Sequence, residues 1–145
     1  RMGESAHVTD WEEANDRDEI FGGRGKGAQR AAWEAALGAE YAAMSGLAYV
    51  QLLYDLVKAF DTVPHDELIK ACLDRGYPWW LMRLSLAVYR MHRTIVVDGM
   101  CSELLLAVRG ITAGSTFATS ELRALLLGLV EVLNERWSGI VRTKL

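Results

Sequence analysis

Two cysteines, two prolines and no long apolar run set the first limits on this chain of 145 residues. Cys72 and Cys101 match no zinc-ligand spacing and are too few for a disulfide scaffold, so reduced thiols of an intracellular protein are expected, in nucleus or cytoplasm without distinction. The longest apolar run, Ala124 to Val130, ends at Glu131 and falls far short of the roughly 20 residues a bilayer-spanning helix needs. No secretory leader pattern opens the sequence, and no membrane partner is expected. A basic excess is also missing. The net charge of −3 argues against a dedicated nucleic-acid binder but leaves room for a local basic stripe. No internal repeat is visible. What the chain does have is 51% hydrophobic and 24% charged residues, the balance of a globular protein. One domain is the natural expectation at this length, able to bury roughly 70% of its unfolded surface.

Residues 1 to 20 are acidic and are expected as a loosely structured lead-in, with at most a short helix from Asp10; residues 21 to 145 then form the domain. Phe21 to Gly27 is a glycine-rich turn. It brushes the dinucleotide fingerprint, but Asp18 and Glu19 stand where a hydrophobic strand should precede it, and Ile20 occupies the first glycine of a phosphate-loop pattern. Trp33, Leu37, Tyr41 and Met44 share one face of a helix closed by Ser45-Gly46. Ala48 to Asp55 reads as a central strand covered on both faces.

Downstream, His65 to Asp74 is predicted helical, stopped by Arg75-Gly76-Tyr77-Pro78, and a further helix runs from Pro78 to about Met91. Thr94 to Val97 is a short strand, Asp98-Gly99 a turn, and Leu104 to Val108 the hairpin partner. A long helix reaches about Arg136, with Leu122, Leu125, Leu126, Leu129 and Leu133 as its core side. Trp79 and Trp80 with Tyr77 would make a base-stacking platform, although core packing is the stronger expectation. Arg83, Arg90, His92 and Arg93 form a basic group that suits a nucleic-acid backbone or a solvated helix face.

The stretch Leu53 to His65 carries the functional signal. A carboxylate, Asp55, ends a buried apolar run, and such a group is costly unless something positive meets it. Leu53-Tyr54-Asp55-Leu56-Val57-Lys58-Ala59-Phe60-Asp61-Thr62-Val63-Pro64-His65 resembles the first catalytic motif of reverse transcriptases of the non-LTR retrotransposon and group II intron type. Arg109-Gly110-Ile111-Thr112-Ala113-Gly114-Ser115 stands where that family has Gly-x-Pro-Gln-Gly-Ser, and Phe21-Gly22-Gly23-Arg24-Gly25 is similar to its upstream Phe-Gly-Phe-Arg-x-Gly segment. The order and spacing fit over residues 20 to 135.

The resemblance implies an α+β fold, part of the fingers and palm of a right-hand polymerase, with a small antiparallel sheet packed by helices. It implies nucleotidyl transfer to a primer hydroxyl by two-metal chemistry, with Mg2+, deoxynucleotides and an RNA or DNA primer–template. Asp55 would then be the catalytic carboxylate and metal ligand, joined by the backbone carbonyl of Leu56. Phe60 would sit under the incoming sugar, Arg24 and Lys26 would meet the triphosphate, and Gly110 and Gly114 would let backbone approach the nucleotide. Asp61 is expected as a cap or ion-pair partner, and His65 as a helix-start residue with a structural hydrogen bond.

Two departures qualify this. Thr112 and Ala113 replace the family's Pro-Gln, and no Asp-Asp pair occurs anywhere in the chain. Asp55 alone does not hold two metal ions. The expectation is a fragment that stops before the Asp-Asp hairpin and is inactive by itself. The alternative is a degenerate, non-catalytic relative serving as a nucleic-acid-binding or interaction module; a helical scaffold with a chance motif match is the third reading.

Overall fold

A computed structural model describes residues 2–22, 25–53, 56–112 and 114–137. Among the described residues, five helices and two small antiparallel ladders follow one another: α1 (Met2–Ala14), α2 (Ala28–Met44), α3 (His65–Asp74), α4 (Trp79–Tyr89), β1 (His92–Arg93), β2 (Val96–Val97), β3 (Met100–Cys101), β4 (Leu105–Leu106) and α5 (Ala118–Trp137). The class is α+β, as expected.

Local chemistry explains the helix ends. α3 begins after Pro64 and carries Asp66 and Glu67 in its first turn, where the helix dipole favours negative charge. It closes in a left-handed Gly76 (φ 63°), with the Tyr77 amide bonded to the Cys72 carbonyl at 2.8 Å and the Gly76 amide to Leu73 at 3.1 Å. This is the Schellman arrangement, which the missing Cβ of glycine permits. α2 closes in the same way on Gly46.

The core lies between α1, α3, α4 and α5. Leu68 and Cys72 from α3, Leu81, Met82 and Tyr89 from α4, and Ala124, Leu127 and Val130 from α5 are all essentially removed from water. Contrary to the expectation of a loose lead-in, α1 belongs to this core through Val8 and Trp11, followed by buried Ile20 and Phe21. Trp11 donates from Nε1 to the carbonyl of Arg75 at 2.9 Å, satisfying an orphan acceptor at the end of α3, and its ring stands edge-on to Tyr77. Side-chain bonds from Ser120 to Glu12 (2.6 Å) and from Asn134 to Glu19 (2.7 Å) tie the acidic segment to α5.

Several expectations are corrected. Residues 48 to 53 form no strand, and Val50, Leu52 and Leu53 are exposed; a continuous apolar run becomes a central strand only where neighbouring strands take up its backbone, and none lies beside it among the described residues. The Trp33, Leu37, Tyr41 and Met44 face of α2 is solvent-facing, and Ala42 is the helix's one buried residue. Trp79 and Trp80 are half exposed, with Trp80 edge-on to His7, so they are not core. On α5 the buried stripe is Glu121, Ala124, Leu127 and Val130; Leu122 and Leu125 flank it, and Leu129 faces water.

The β-ribbon is one long hairpin. β2 pairs with β3 across Asp98-Gly99, both at positive φ as a tight two-residue turn demands, while β1 pairs with β4. The partner across the turn is therefore Met100–Cys101, and Leu105–Leu106 pairs further back, with His92–Arg93. All four strands are exposed; the helices pack on one another and not on a sheet face.

Candidate functional site

The expected site residues divide by position. Asp55 and Arg24 lie outside the described residues, as do Tyr54, Gly23 and Ala113. Leu56, its side chain exposed, precedes a run of turns over 57–62. Lys58, at positive φ, offers its carbonyl to the amides of Asp61 (2.9 Å) and Thr62 (3.1 Å) and to the Thr62 hydroxyl. Phe60 keeps 39% of its surface exposed and stays outside the core cluster.

This turn is stitched to the glycine loop. The Ile111 amide donates to the Phe60 carbonyl and the Gly110 amide to Val63, each at 2.8 Å, and Pro64 forms an antiparallel bridge with Arg109. His65 Nε2 donates to the Gly110 carbonyl at 2.8 Å, across 45 residues of sequence. A carbonyl only accepts, so the proton sits on Nε2, and His65 makes the structural bond expected of it. Gly110 has φ 94°, and a Cβ there would stand 2.9 Å from the carbonyl oxygen of Asp61. Both the backbone conformation and the close approach require glycine. Two of the three stretches quoted for the resemblance thus meet in space, through residues 60–65 and 109–111.

The far end of the loop is held from the core side. Arg93 donates from Nη2 to the Thr112 hydroxyl at 3.1 Å, so Thr112 has a partner of its own. The Tyr89 hydroxyl oxygen lies 3.0 Å from Ser115 Oγ and 2.5 Å from Glu121 Oε2. Gly114 has φ 82° with open space on its Cβ side.

Glu121 is fully buried, and desolvation raises its carboxyl above the ordinary range against the hydrogen bond from Tyr89. Cys72 from α3 faces the same interior and is pushed up to about 12, first by burial and then by Glu121. Tyr77 and Tyr89 are raised for the same two reasons, Tyr77 also feeling Glu12 of α1. Glu121 Oε1, Ser85 Oγ, Tyr77 Oη and His65 Nδ1 are buried without a hydrogen-bond partner. Sequence reading missed this polar centre because the leucines of α5 dominated its pattern. The spacing of Glu121 with Ala124, Leu127 and Val130, three residues apart each time, was the available signal.

Lys26, expected at a triphosphate, donates to Asp16 Oδ1 at 2.9 Å and to the Arg17 carbonyl at 2.6 Å. It lowers the Asp16 carboxyl through that hydrogen bond, and its own side chain is largely covered. An open cleft of about 590 Å3 lies behind the junction, lined by Pro64, His65, Arg90, Val108 and Arg109 among others.

For a divalent ion the fit is incomplete. Among the described residues no three His, Cys, Asp or Glu side chains converge, and of the expected oxygen pair only Leu56 falls within them. Nor is any helix among them long and apolar enough to cross a membrane. No family model matches this chain, and no curated protein or solved structure shows significant similarity to it.

Proposed function

We propose that this chain is part of the fingers and palm of an RNA-directed DNA polymerase of retroelement type. The complete protein would transfer deoxynucleotides to a primer hydroxyl on an RNA or DNA template, with Mg2+ held partly by Asp55 and the Leu56 carbonyl. The observation that carries the reading is the junction of the 56–65 turn with the 109–112 loop, where Phe60 and Val63 accept from Ile111 and Gly110 and His65 caps the loop carbonyl. The reading expects a glycine-bracketed loop close to the turn that follows the first carboxylate, and the bonds from Gly110 and Ile111 to residues 60–63 support it. Exposed Arg90 and Arg109 beside it suit a phosphate backbone.

Primer extension by the chain joined to its downstream coding sequence tests the proposal. Magnesium-dependent extension that falls at least about a hundredfold in Asp55→Ala is expected, since even indirect partners of a metal are worth 10- to 100-fold. Equal extension in both proteins, or a long continuation without an aromatic-x-Asp-Asp, would overturn it.

The second reading, a non-catalytic interaction module, is favoured by the exposed Trp33, Leu37, Tyr41 and Met44 face of α2. Extension activity separates the two, and salt tests nucleic-acid binding under either: primer–template affinity of this chain that falls steeply with ionic strength supports a nucleic-acid role, and a flat response argues against one.

A further inference from the structure

The glycine loop is held at both ends by side chains from other elements, and its second anchor is built from the core outward. Tyr89, at the last residue of α4, is fully buried, yet its hydroxyl oxygen reaches Ser115 Oγ at 3.0 Å and Glu121 Oε2 at 2.5 Å. Ser115 is the loop's last residue; its amide donates to the Thr112 carbonyl at 3.1 Å, and its carbonyl accepts from Ala118 as α5 begins. Packing alone would have filled the place of a fully buried glutamate with a leucine at far lower cost.

We infer that Glu121 and Tyr89 form a positioning chain that fixes Ser115, the far end of the glycine loop, from inside the core. The chemistry of the three oxygens explains why a carboxyl serves here. A tyrosine hydroxyl has one proton. With Glu121 protonated, its O–H donates to Tyr89, and Tyr89 donates to Ser115, a directional chain that ends on the loop. With Glu121 ionised, Tyr89 must donate to the carboxylate, and the Ser115 hydroxyl must turn to donate to Tyr89. Both states keep the loop docked, but each fixes a different orientation of the Ser115 hydroxyl. The Gly110 end is independent, since it hangs on His65, Val63 and Phe60.

The existence of the chain rests on these distances alone; its bearing on a nucleotide or template rests on the polymerase reading. Two measurements on this 145-residue protein keep them apart. The first is site-resolved amide hydrogen exchange in Tyr89→Phe, which keeps the buried ring and removes the hydroxyl. Exchange at Ser115 should quicken about three- to tenfold, the equivalent of one net hydrogen bond, while Gly110, Ile111 and the core amides of α3 and α5 stay as in wild type. Glu121→Gln, which keeps an acceptor and gains a donor, should hold Ser115 near wild-type protection.

Unchanged Ser115 exchange in Tyr89→Phe would overturn the inference, as would uniform quickening of all amides, which marks simple loss of stability. The second measurement is primer–template affinity of the same variants. Weaker binding in Tyr89→Phe with retention in Glu121→Gln supports positioning at a nucleic-acid site. Faster Ser115 exchange with affinity equal to wild type overturns that role while the chain itself stands. A wild-type protein that binds no primer–template, with the exchange pattern as stated, counts against the polymerase reading and not against the chain.

Discussion

The helical core and the segment from α2 to residue 53 have similar shares of large apolar residues and opposite fates. In the core, each apolar stripe meets another, and several of the polar groups that go inside bring a partner for at least one atom: Trp11 for the Arg75 carbonyl, His65 for Gly110, Tyr89 for Glu121. α2 has a face just as apolar, and among the described residues it meets little beyond Tyr49, whose hydroxyl bonds the Ala35 carbonyl at 3.3 Å and whose ring lies near Gly38. Amphipathic pattern predicts that a helix has a face to bury. It does not say that the burying surface is present.

The sharpest way to break the contrast is to truncate one leucine in each region. Leu127→Ala should cost about 2–5 kcal/mol, because its site is closed on all sides. Leu37→Ala, on a side chain 66% exposed, should change stability by no more than about 0.5 kcal/mol. Urea unfolding of both variants checks this, and equal losses would show that α2 is covered in solution. Gly110→Ala comes next. It meets both a left-handed backbone and the Asp61 carbonyl, and should lose roughly 2–3 kcal/mol by the same measurement.

Two glutamates on α5 then sharpen the comparison within one helix. Burial raises the Glu121 carboxyl, whereas the hydrogen bond from Arg75 lowers that of Glu131. For Glu121 the folded protein holds its proton more tightly than the unfolded chain. Its contribution is therefore fully present below the unfolded value and is lost as pH rises toward the folded one. Thermal melts should show wild type losing stability relative to Glu121→Gln as pH rises above the ordinary glutamate value of about 4.5.

Glu131 has the opposite sign. Its contribution is present above the unfolded value and fades as pH falls through the lowered one. The effect is small. Glu131 is 37% exposed although its oxygen lies 2.5 Å from Arg75 Nη1, so solvent screening leaves Glu131→Gln a cost of about 0.2–1 kcal/mol at neutral pH. A Glu131→Gln melt with the same pH slope as Glu121→Gln would contradict both assignments.

Much of the secondary structure was legible before any tertiary contact was known. The α3 boundaries follow from Pro64 and Gly76, the α4 start from Pro78, and the hairpin tip from Asp98-Gly99; each is set by backbone sterics within a few residues. The strand expected at 48–55 failed for the complementary reason. A strand has no internal hydrogen bonds, and residues 48 to 53 gain no ladder. Of the candidate site, the Gly110 loop and the structural role of His65 were readable, because glycine brackets and a histidine at a helix start are local signals. Lys26 was not, since its partner Asp16 lies in a segment expected to be loose.

By itself, then, the amino-acid sequence determined where α2 ends, where α3 starts and stops, where α4 starts, and where the hairpin turns. These are properties of φ, ψ and a few neighbouring side chains. Only the tertiary structure decided which apolar faces are covered, that Trp11 and Glu121 go inside, and that the 56–65 turn and the 109–115 loop share one junction. Burial and long-range hydrogen bonds depend on what arrives from elsewhere in the chain, and no local pattern carries that information.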